Sequence, residues 1–300
     1  MSTPTAAPAR VADGYARLRA GAPTAVRGRG ALIWVEGPDA ATFLQGLLSN
    51  DVPALGPGGA CAALLLDAKG HIQADVRVHR DGAGSYILAL RPELSEHVAA
   101  TLHRYHFSED LEILGPEEVD LLTLSAEATI PDGATWIAVP GALPGSLDIV
   151  VDDASAAIVA LGIDEVPPEA LEMARIAAGV PRVGIDTGPS TLVQEVGLED
   201  HAVSFGKGCY LGQETVARIA FRGRVNRHLR GILLGEPAAV GAVLTSDGRE
   251  VGRLTSVAVT PDLGVIGLAV IRHEVELGAE VDLEGAATAA RVVDLPFRAR

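Results

Sequence analysis

Between Ser204 and Arg230 the chain reads SFGKGCYLGQETVARIAFRGRVNRHLR, gathering a lysine, one of two cysteines, a Gln-Glu pair and five arginines into a short span. Gly206, Gly208 and Gly212 permit a tight, exposed loop, Lys207 stands two residues before Cys209, and QETVARIA reads as the start of a helix. A nearby cation and a helix start both favour thiolate over thiol, which makes Cys209 a candidate reactive thiol. The same residue types also suit a small buried thiol beside a turn, since free cysteine is among the most buried side chains. Arg218, Arg222, Arg224, Arg227 and Arg230 carry the planar fork that clamps carboxylates or phosphates, and they equally suit a solvated face paired with the many acids of this chain.

The span does not read as a phosphate loop: Leu211 breaks the GxGxxG spacing, and no Gly-Lys is followed by Ser or Thr. The histidines form no HExxH and no ligand-like pairing with cysteine, and there is no GxSxG elbow. The whole chain of 300 residues carries a formal charge of -15, which argues against a general nucleic-acid surface and makes the arginine cluster a local exception. Cys61 and Cys209 allow at most one disulfide, so reduced intracellular thiols are expected. MSTPTAAPAR lacks the charged and apolar regions of a signal peptide and reads as a disordered tail over residues 1–10. No apolar run reaches the roughly 18 residues of a membrane span. A cytoplasmic protein without membrane or nucleic-acid partners is expected.

The elements that would position the loop follow from pattern. Ala31 to Val35 reads as a strand, and GPDAATFLQGLLSN as a helix burying Phe43, Leu44, Leu47 and Leu48. CAALLL, the turn DAKG and HIQADVRVH form a hairpin with Ile72, Ala74, Val76 and Val78 on its buried face and a solvated face opposite. A strand at Ser85 to Leu90 and a helix at Pro92 to His106 follow, then strands near Leu111 to Leu114 and Val119 to Leu124, a Pro/Gly-rich interval over Pro131 to Gly145, a strand at Leu147 to Val151 and a helix over Ala154 to Leu161. EALEMARIAAG is a helix opened by Pro167-Pro168 and closed by Gly179. After Arg230 only short β segments remain, which need closure into a barrel. Strands and helices without strict alternation indicate an α+β fold.

The string KGCYLGQE with Arg218 four residues on resembles the signature of the YgfZ-type folate-binding proteins, relatives of the glycine-cleavage T-protein whose mitochondrial members assist iron–sulfur cluster assembly. VEGPDAATFLQGLLSNDV, LLLDAKGHIQADVRVHR and ARIAAGVPRVGID resemble further segments of that family, and the β-rich tail resembles its terminal barrel. The resemblance implies a T-protein-like (aminomethyltransferase-like) fold over residues 11–228, with a second subdomain over roughly 110–165, and a barrel over 229–300. It implies a reduced folate such as tetrahydrofolate in a central pocket faced by the KGC loop, with Asp75, Leu171, Arg175, Gln194 and Glu195 around the ligand. Cys209 would be the working thiol, Lys207 its electrostatic neighbour, and Gly208, Tyr210, Gly212, Gln213, Glu214 and Arg218 the groups that build and fix the loop.

Two departures bear on activity. ARIAAG places Ala177 where the T-protein has a pterin-holding glutamate, and GHIQAD keeps only Asp75 of an aspartate pair. Aminomethyl transfer then lacks its expected acid/base groups. Two cysteines fall short of the four thiolates of a conventional cluster, so no stable metal or cluster is expected within one chain. The expected role is support of assembly or repair of iron–sulfur enzymes, with folate and iron–sulfur carrier or client proteins as partners. The alternatives are a folate-dependent one-carbon transferase or demethylase using Asp75, Gln194 and Glu195, and a non-catalytic module docking through its arginine face.

Overall fold

A computed structural model describes residues 7–125, 128–130, 137–287 and 289–298. Its larger sheet is built on one long strand. After a helix α1 (Ala9–Arg19), β1 (Thr24–Glu36) runs through the middle of the fold. There follow α2 (Ala40–Leu47), the hairpin β2 (Ala60–Leu66) and β3 (Ile72–Arg80), β4 (Tyr86–Leu90), α3 (Pro92–Tyr105), β5 (Glu112–Leu124), β6 (Ala138–Pro140), β7 (Leu147–Val150), α4 (Ala154–Leu161), β8 (Asp164–Glu165) and α5 (Pro168–Ala178). The strand order is β2-β3-β4-β1-β5-β7-β6, with β8 parallel to the start of β1. A short α6 (Glu199–Ala202) and α7 (Gln213–Arg222) lead to β9 (Arg227–Leu234), β10 (Val243–Ser246), β11 (Arg249–Thr260), β12 (Gly264–Arg272), β13 (Glu280–Leu283) and β14 (Ala290–Val293). These six strands close into a barrel in the order β10-β11-β12-β9-β14-β13, as their short, turn-rich sequence requires. The architecture is α+β.

One face of the hairpin is core. Ala74, Val76 and Val78 pack with Phe43, Leu44 and Leu47 of α2 and Val98 and Leu102 of α3. The opposite face, read from sequence as solvated, instead lines an open cavity. The sheet curls until β6 approaches β2 and β3, so Asp75, Arg77 and His79 look inward, and His79 is only 9% exposed. Twist accumulated over seven neighbouring strands brings the ends of the sheet together.

Three further expectations change. Helix α1 begins at Ala9, inside the stretch read as a tail, of which residues 1–6 lie outside the described residues. It was hidden because only Val11, Gly14 and Tyr15 are buried along it. Gly14 sits against Val166 and Ala170, and Tyr15 donates to Asp262 Oδ1 of the barrel at 2.8 Å. The strands expected near 111–114 and 119–124 are the single strand β5, because β1 is long enough to pair both halves. A shift in register between Leu32 and Trp34 absorbs Gly115-Pro116, where proline offers no ladder donor. Residues 110–165 contribute β5, β7 and β6 to the same sheet as the hairpin; within the Pro/Gly-rich interval, residues 131–136 lie outside the described residues.

The sheet and the barrel are joined by a buried ion pair. Arg175 of α5 is 2% exposed and spends all five N–H donors inside the protein. Its Nε and Nη2 reach Glu172, Nη1 reaches Val180 O and Asp186 Oδ2 at 2.8 Å, and Nη2 also reaches Ser256 Oγ of β11. Asp186, itself fully buried, accepts from Thr255 and Ser256 of the same barrel strand. Arg175, expected beside a ligand, is thus the joint between the two parts and has no donor left to give. Arg175→Met leaves the Asp186 carboxylate buried without its counter-ion, and a loss of about 3–5 kcal/mol in urea unfolding is expected. Arg175→Met with Asp186→Leu should lose less than the sum of the single changes; strict additivity would contradict a coupled pair.

Candidate functional site

The KGC loop is fastened from inside. Ser204 N donates to Ser49 O and Leu211 N to Gly46 O, both at 3.0 Å, which brackets the loop against the end of α2. Lys207 points inward, and its ammonium donates to the carbonyls of Gln45 (2.8 Å), Leu48 (2.5 Å) and Asn50 (2.9 Å). These lie at the C-terminal end of α2, where unpaired carbonyls and the helix dipole favour a cation. The Tyr210 ring, also buried, lies 4.9 Å from the same nitrogen. Burial pushes the Lys207 ammonium down to about 8, with Asp51 opposing, and the three carbonyls act further in favour of the charged form.

With positions 207 and 210 turned in, Gly208 and Cys209 are left on the outside, exposed to solvent. The expected electrostatic partnership therefore fails: Lys207 spends its charge on backbone carbonyls, and the thiol its field reaches is Cys61. Cys61 is half-buried, and burial pushes it up to about 11. The exposed thiol and the buried thiol of the sequence reading are both present, on different cysteines.

Glycine geometry completes the loop. Gly212 has φ +81 and forms the N-cap of α7; a Cβ there would sit 2.5 Å from Asp67 O. At Gly70, φ +84, a Cβ would sit 2.9 Å from Thr215 Cβ and 3.2 Å from Gly212 O, so the DAKG turn and the KGCYLGQE loop interlock where neither glycine admits a side chain. Asp67 stiffens its turn by accepting from Lys69 N, His71 N and His71 Nδ1. Of the residues expected to fix the loop, Gln213 reaches Gly208 O only at 3.4 Å, and Glu214 and Arg218 are exposed with no hydrogen bond or ion pair among the described residues. Lys207 and Gly212 do that work.

The segment on and after α7 carries an unusual surface. Phe221, 74% exposed, meets Phe205 edge to face at 6.0 Å. Arg218, Arg222, Arg224 and Arg227 form no ion pair among the described residues, whereas Arg230 is 3.6 Å from Asp294. In a chain of net charge -15, these exposed arginines make a local basic, partly aromatic stretch.

The curled sheet lines an open cavity of about 580 Å³, and beside it a cleft of about 1370 Å³ lies between the β6–β7 loop, the end of α5 and the barrel. Asp75 and Arg77 line both. Asp75 bonds Arg77 at 2.7 Å and Arg91 at 3.3 Å; burial pushes its carboxyl up, but the two guanidiniums outweigh this and hold it below the usual range. Leu171 faces the cavity, and Gln194 and Glu195 face the cleft. Glu195 is turned back onto Leu192 N at 2.9 Å, while Gln194 donates to Val216 O and leaves its Oε1 buried without a partner. Cys209 lines neither space, contrary to the expectation that the KGC loop faces the pocket; Cys61 lines the cleft. Ala177 is fully buried, its carbonyl accepting from Phe297 N, so α5 presents no carboxyl at that position. Arg77, Arg91 and Asp148 went unrecognised in the sequence. Arg77 alternates with buried Val76 and Val78 and was read as solvated, while Arg91 and Asp148 stand in short segments whose pattern says nothing of a shared space.

The geometry has close counterparts. The profile of the glycine cleavage T-protein C-terminal barrel domain matches residues 227–298. A tRNA-modifying protein YgfZ of Klebsiella pneumoniae is 30% identical over 66% of this chain and 68% of its own. The chain belongs to the YgfZ family. A mitochondrial iron–sulfur cluster assembly factor homolog of Neurospora crassa is 27% identical over 68% of this chain and 52% of its own length. The crystal structure of aminomethyltransferase T from Bartonella henselae superimposes with a TM-score of 0.82, covering 99% of this chain and 91% of that one at 23% identity, so this YgfZ-type chain has the T-protein fold.

In this YgfZ-type protein, Lys207→Met removes a buried donor from three carbonyls and is expected to cost about 2–3 kcal/mol in urea unfolding, while Cys209→Ser stays within about 0.5 kcal/mol of the parent. Mass spectrometry after brief iodoacetamide treatment should find Cys209 alkylated well ahead of Cys61 in the folded protein, since Cys61 is half-buried and its thiol is pushed up to about 11. Equal labelling of both would contradict the loop geometry.

Proposed function

We propose that this protein binds a reduced folate and supports the assembly or repair of iron–sulfur enzymes, with Cys209 as its working thiol. The observation that carries the reading is an exposed cysteine on an internally anchored loop, followed along the chain by a helix and turn that carry unpaired arginines and an exposed phenylalanine. A thiol meant only for packing would be turned inward, as Cys61 is. The names of the Klebsiella pneumoniae and Neurospora crassa relatives, one tRNA-modifying and one an iron–sulfur cluster assembly factor, point the same way. One accessible thiol contributes one ligand, so a cluster at Cys209 would be shared with a second protein that docks on the basic stretch.

The cavity and cleft fit a folate. Leu171, Leu121 and Val139 supply apolar walls for a flat ring, and Asp75 supplies an acceptor held ionised by two arginines. Arg91 Nε and Gln194 Oε1 are buried polar atoms without protein partners, the kind of group that a ligand satisfies. The same details favour binding over one-carbon transfer: Glu195 caps its own turn, Asp75 is locked between guanidiniums, and Ala177 offers no carboxyl.

The test is complementation. In a strain lacking its own YgfZ-type gene, the parent and Cys61→Ala proteins should restore iron–sulfur enzyme activity, and Cys209→Ala should leave it near the deletion level. Full rescue by Cys209→Ala would remove the thiol from the function. A docking-only reading is favoured by the same unpaired arginines. It requires Arg222→Glu with Arg224→Glu to abolish rescue while Cys209→Ala retains it.

A further inference from the structure

The hairpin offers one carboxyl, Asp75, to the cavity. The fold brings a second from elsewhere. Asp148 lies on β7, where it pairs with Thr123 of β5 and Val139 of β6, and the curl of the sheet sets these strands across the cavity from β3. Thr123 Oγ1 donates to Asp148 Oδ1 at 2.7 Å. Asp148 Oδ2 takes no partner among the described residues, and no cation lies within ion-pair distance of it. The loop before β7 closes over this carboxyl only because residue 141 is glycine. A Cβ there would meet Ser146 Oγ at 2.4 Å and Asp148 Oδ1 at 3.1 Å.

We propose that Asp148 is a ligand-binding residue of this cavity, giving a hydrogen bond from its carboxyl to a ring carbonyl or ring nitrogen of a planar heterocycle whose donor groups lie on Asp75. This rests on the reading that the cavity takes a folate, and it names the edge by which the ring is held. The two carboxyls are set up for opposite roles. Asp75 carries two guanidiniums and stays ionised, an acceptor only. Asp148 is pushed up by burial, against Arg77 and Thr123, and Arg77 is already committed to Asp75 at 2.7 Å.

The other charged groups of the cavity do not compensate Asp148. Arg91 is bound to Asp75 and Val183 O, Arg175 is saturated, Arg182 pairs with Glu172 at 3.1 Å, Arg27 with Glu165 at 3.0 Å and Arg29 with Glu118 at 2.8 Å, while Glu93 is a further acid. Two carboxyls whose surroundings drive their protonation apart make one acceptor and one donor across a single space. A heterocycle with both N–H groups and ring acceptors along one edge matches that pair; a dianionic phosphate does not.

The experiment titrates 5-formyltetrahydrofolate against parent, Asp148→Asn and Asp148→Leu proteins, each checked for folding by circular dichroism and thermal midpoint, with infrared spectra of the free proteins alongside. Asparagine keeps a donor and cannot ionise; leucine has no donor. At pH 6 the parent and Asp148→Asn should bind within about threefold of each other and Asp148→Leu about tenfold or more weaker, the size of a lost buried hydrogen bond. As pH rises the parent should weaken while Asp148→Asn holds its affinity, and the parent spectrum should carry a protonated-carboxyl stretch that Asp148→Asn lacks. Unchanged binding by Asp148→Leu, or equal losses in both variants, overturns the proposal. Failure of the parent to bind any reduced folate would instead sink the folate reading. The infrared band then decides the state of Asp148 alone, and its absence overturns the donor role.

Discussion

The placement of the KGC loop depends on one buried ammonium. Lys207 is held by three carbonyls at the end of α2, and every other feature of the loop follows from that choice. Across this turn and bend, Lys207 and Tyr210 are buried and Gly208 and Cys209 between them are left outside. Helix α2 is itself pinned by its apolar stripe against the hairpin, so the thiol is referenced to the central sheet through a short rigid path. Burying an amine is costly, and the three carbonyls of a helix end, which lack partners of their own, are what make it tolerable there.

A second buried cation does the corresponding work on the other side. Arg175 ties α5, the turn carrying Asp186 and barrel strand β11 into one satisfied network, and Tyr15 of α1 adds a bond to the barrel at Asp262. The walls of the cavity and cleft are therefore fixed by side chains that keep nothing for a ligand. The groups that do keep something, Arg91 Nε, Gln194 Oε1 and the outer oxygen of Asp148, lie on the sheet or beside the cleft. Polar residues in this fold divide into those that hold walls and those that face the space between them.

How far this was readable in the sequence follows from the range of the interactions. The α2 stripe, the alternating hairpin, α3, α5 and the barrel strands are local periodicities, and they appear where pattern puts them. The motif KGCYLGQE could not say which way each of its side chains points. The nearness of Lys207 to Cys209 along the chain suggested a charge pair, whereas the acceptors of Lys207 come from residues 45–50. Arg175 matched a ligand-facing position and turned out to be spent on partners 3, 5, 11 and 81 residues away.

Asp148 was invisible for the same reason in stronger form. Its strand has four residues, and its only local mark was that it interrupts an apolar run. What makes it part of a site is the closure of the sheet, which sets β7 across from β3 although the two share no hydrogen bond. That closure depends on β1 being long enough to carry β4 on one edge and β5 on the other, with a bulge at Leu32 to Trp34 that lets Gly115-Pro116 pass. The hairpin is therefore not the cavity's single source of carboxyl. The curl lets a strand from the far edge supply another, and because that strand brings no guanidinium with it, burial pushes the Asp148 carboxyl up where two guanidiniums hold Asp75 below the usual range.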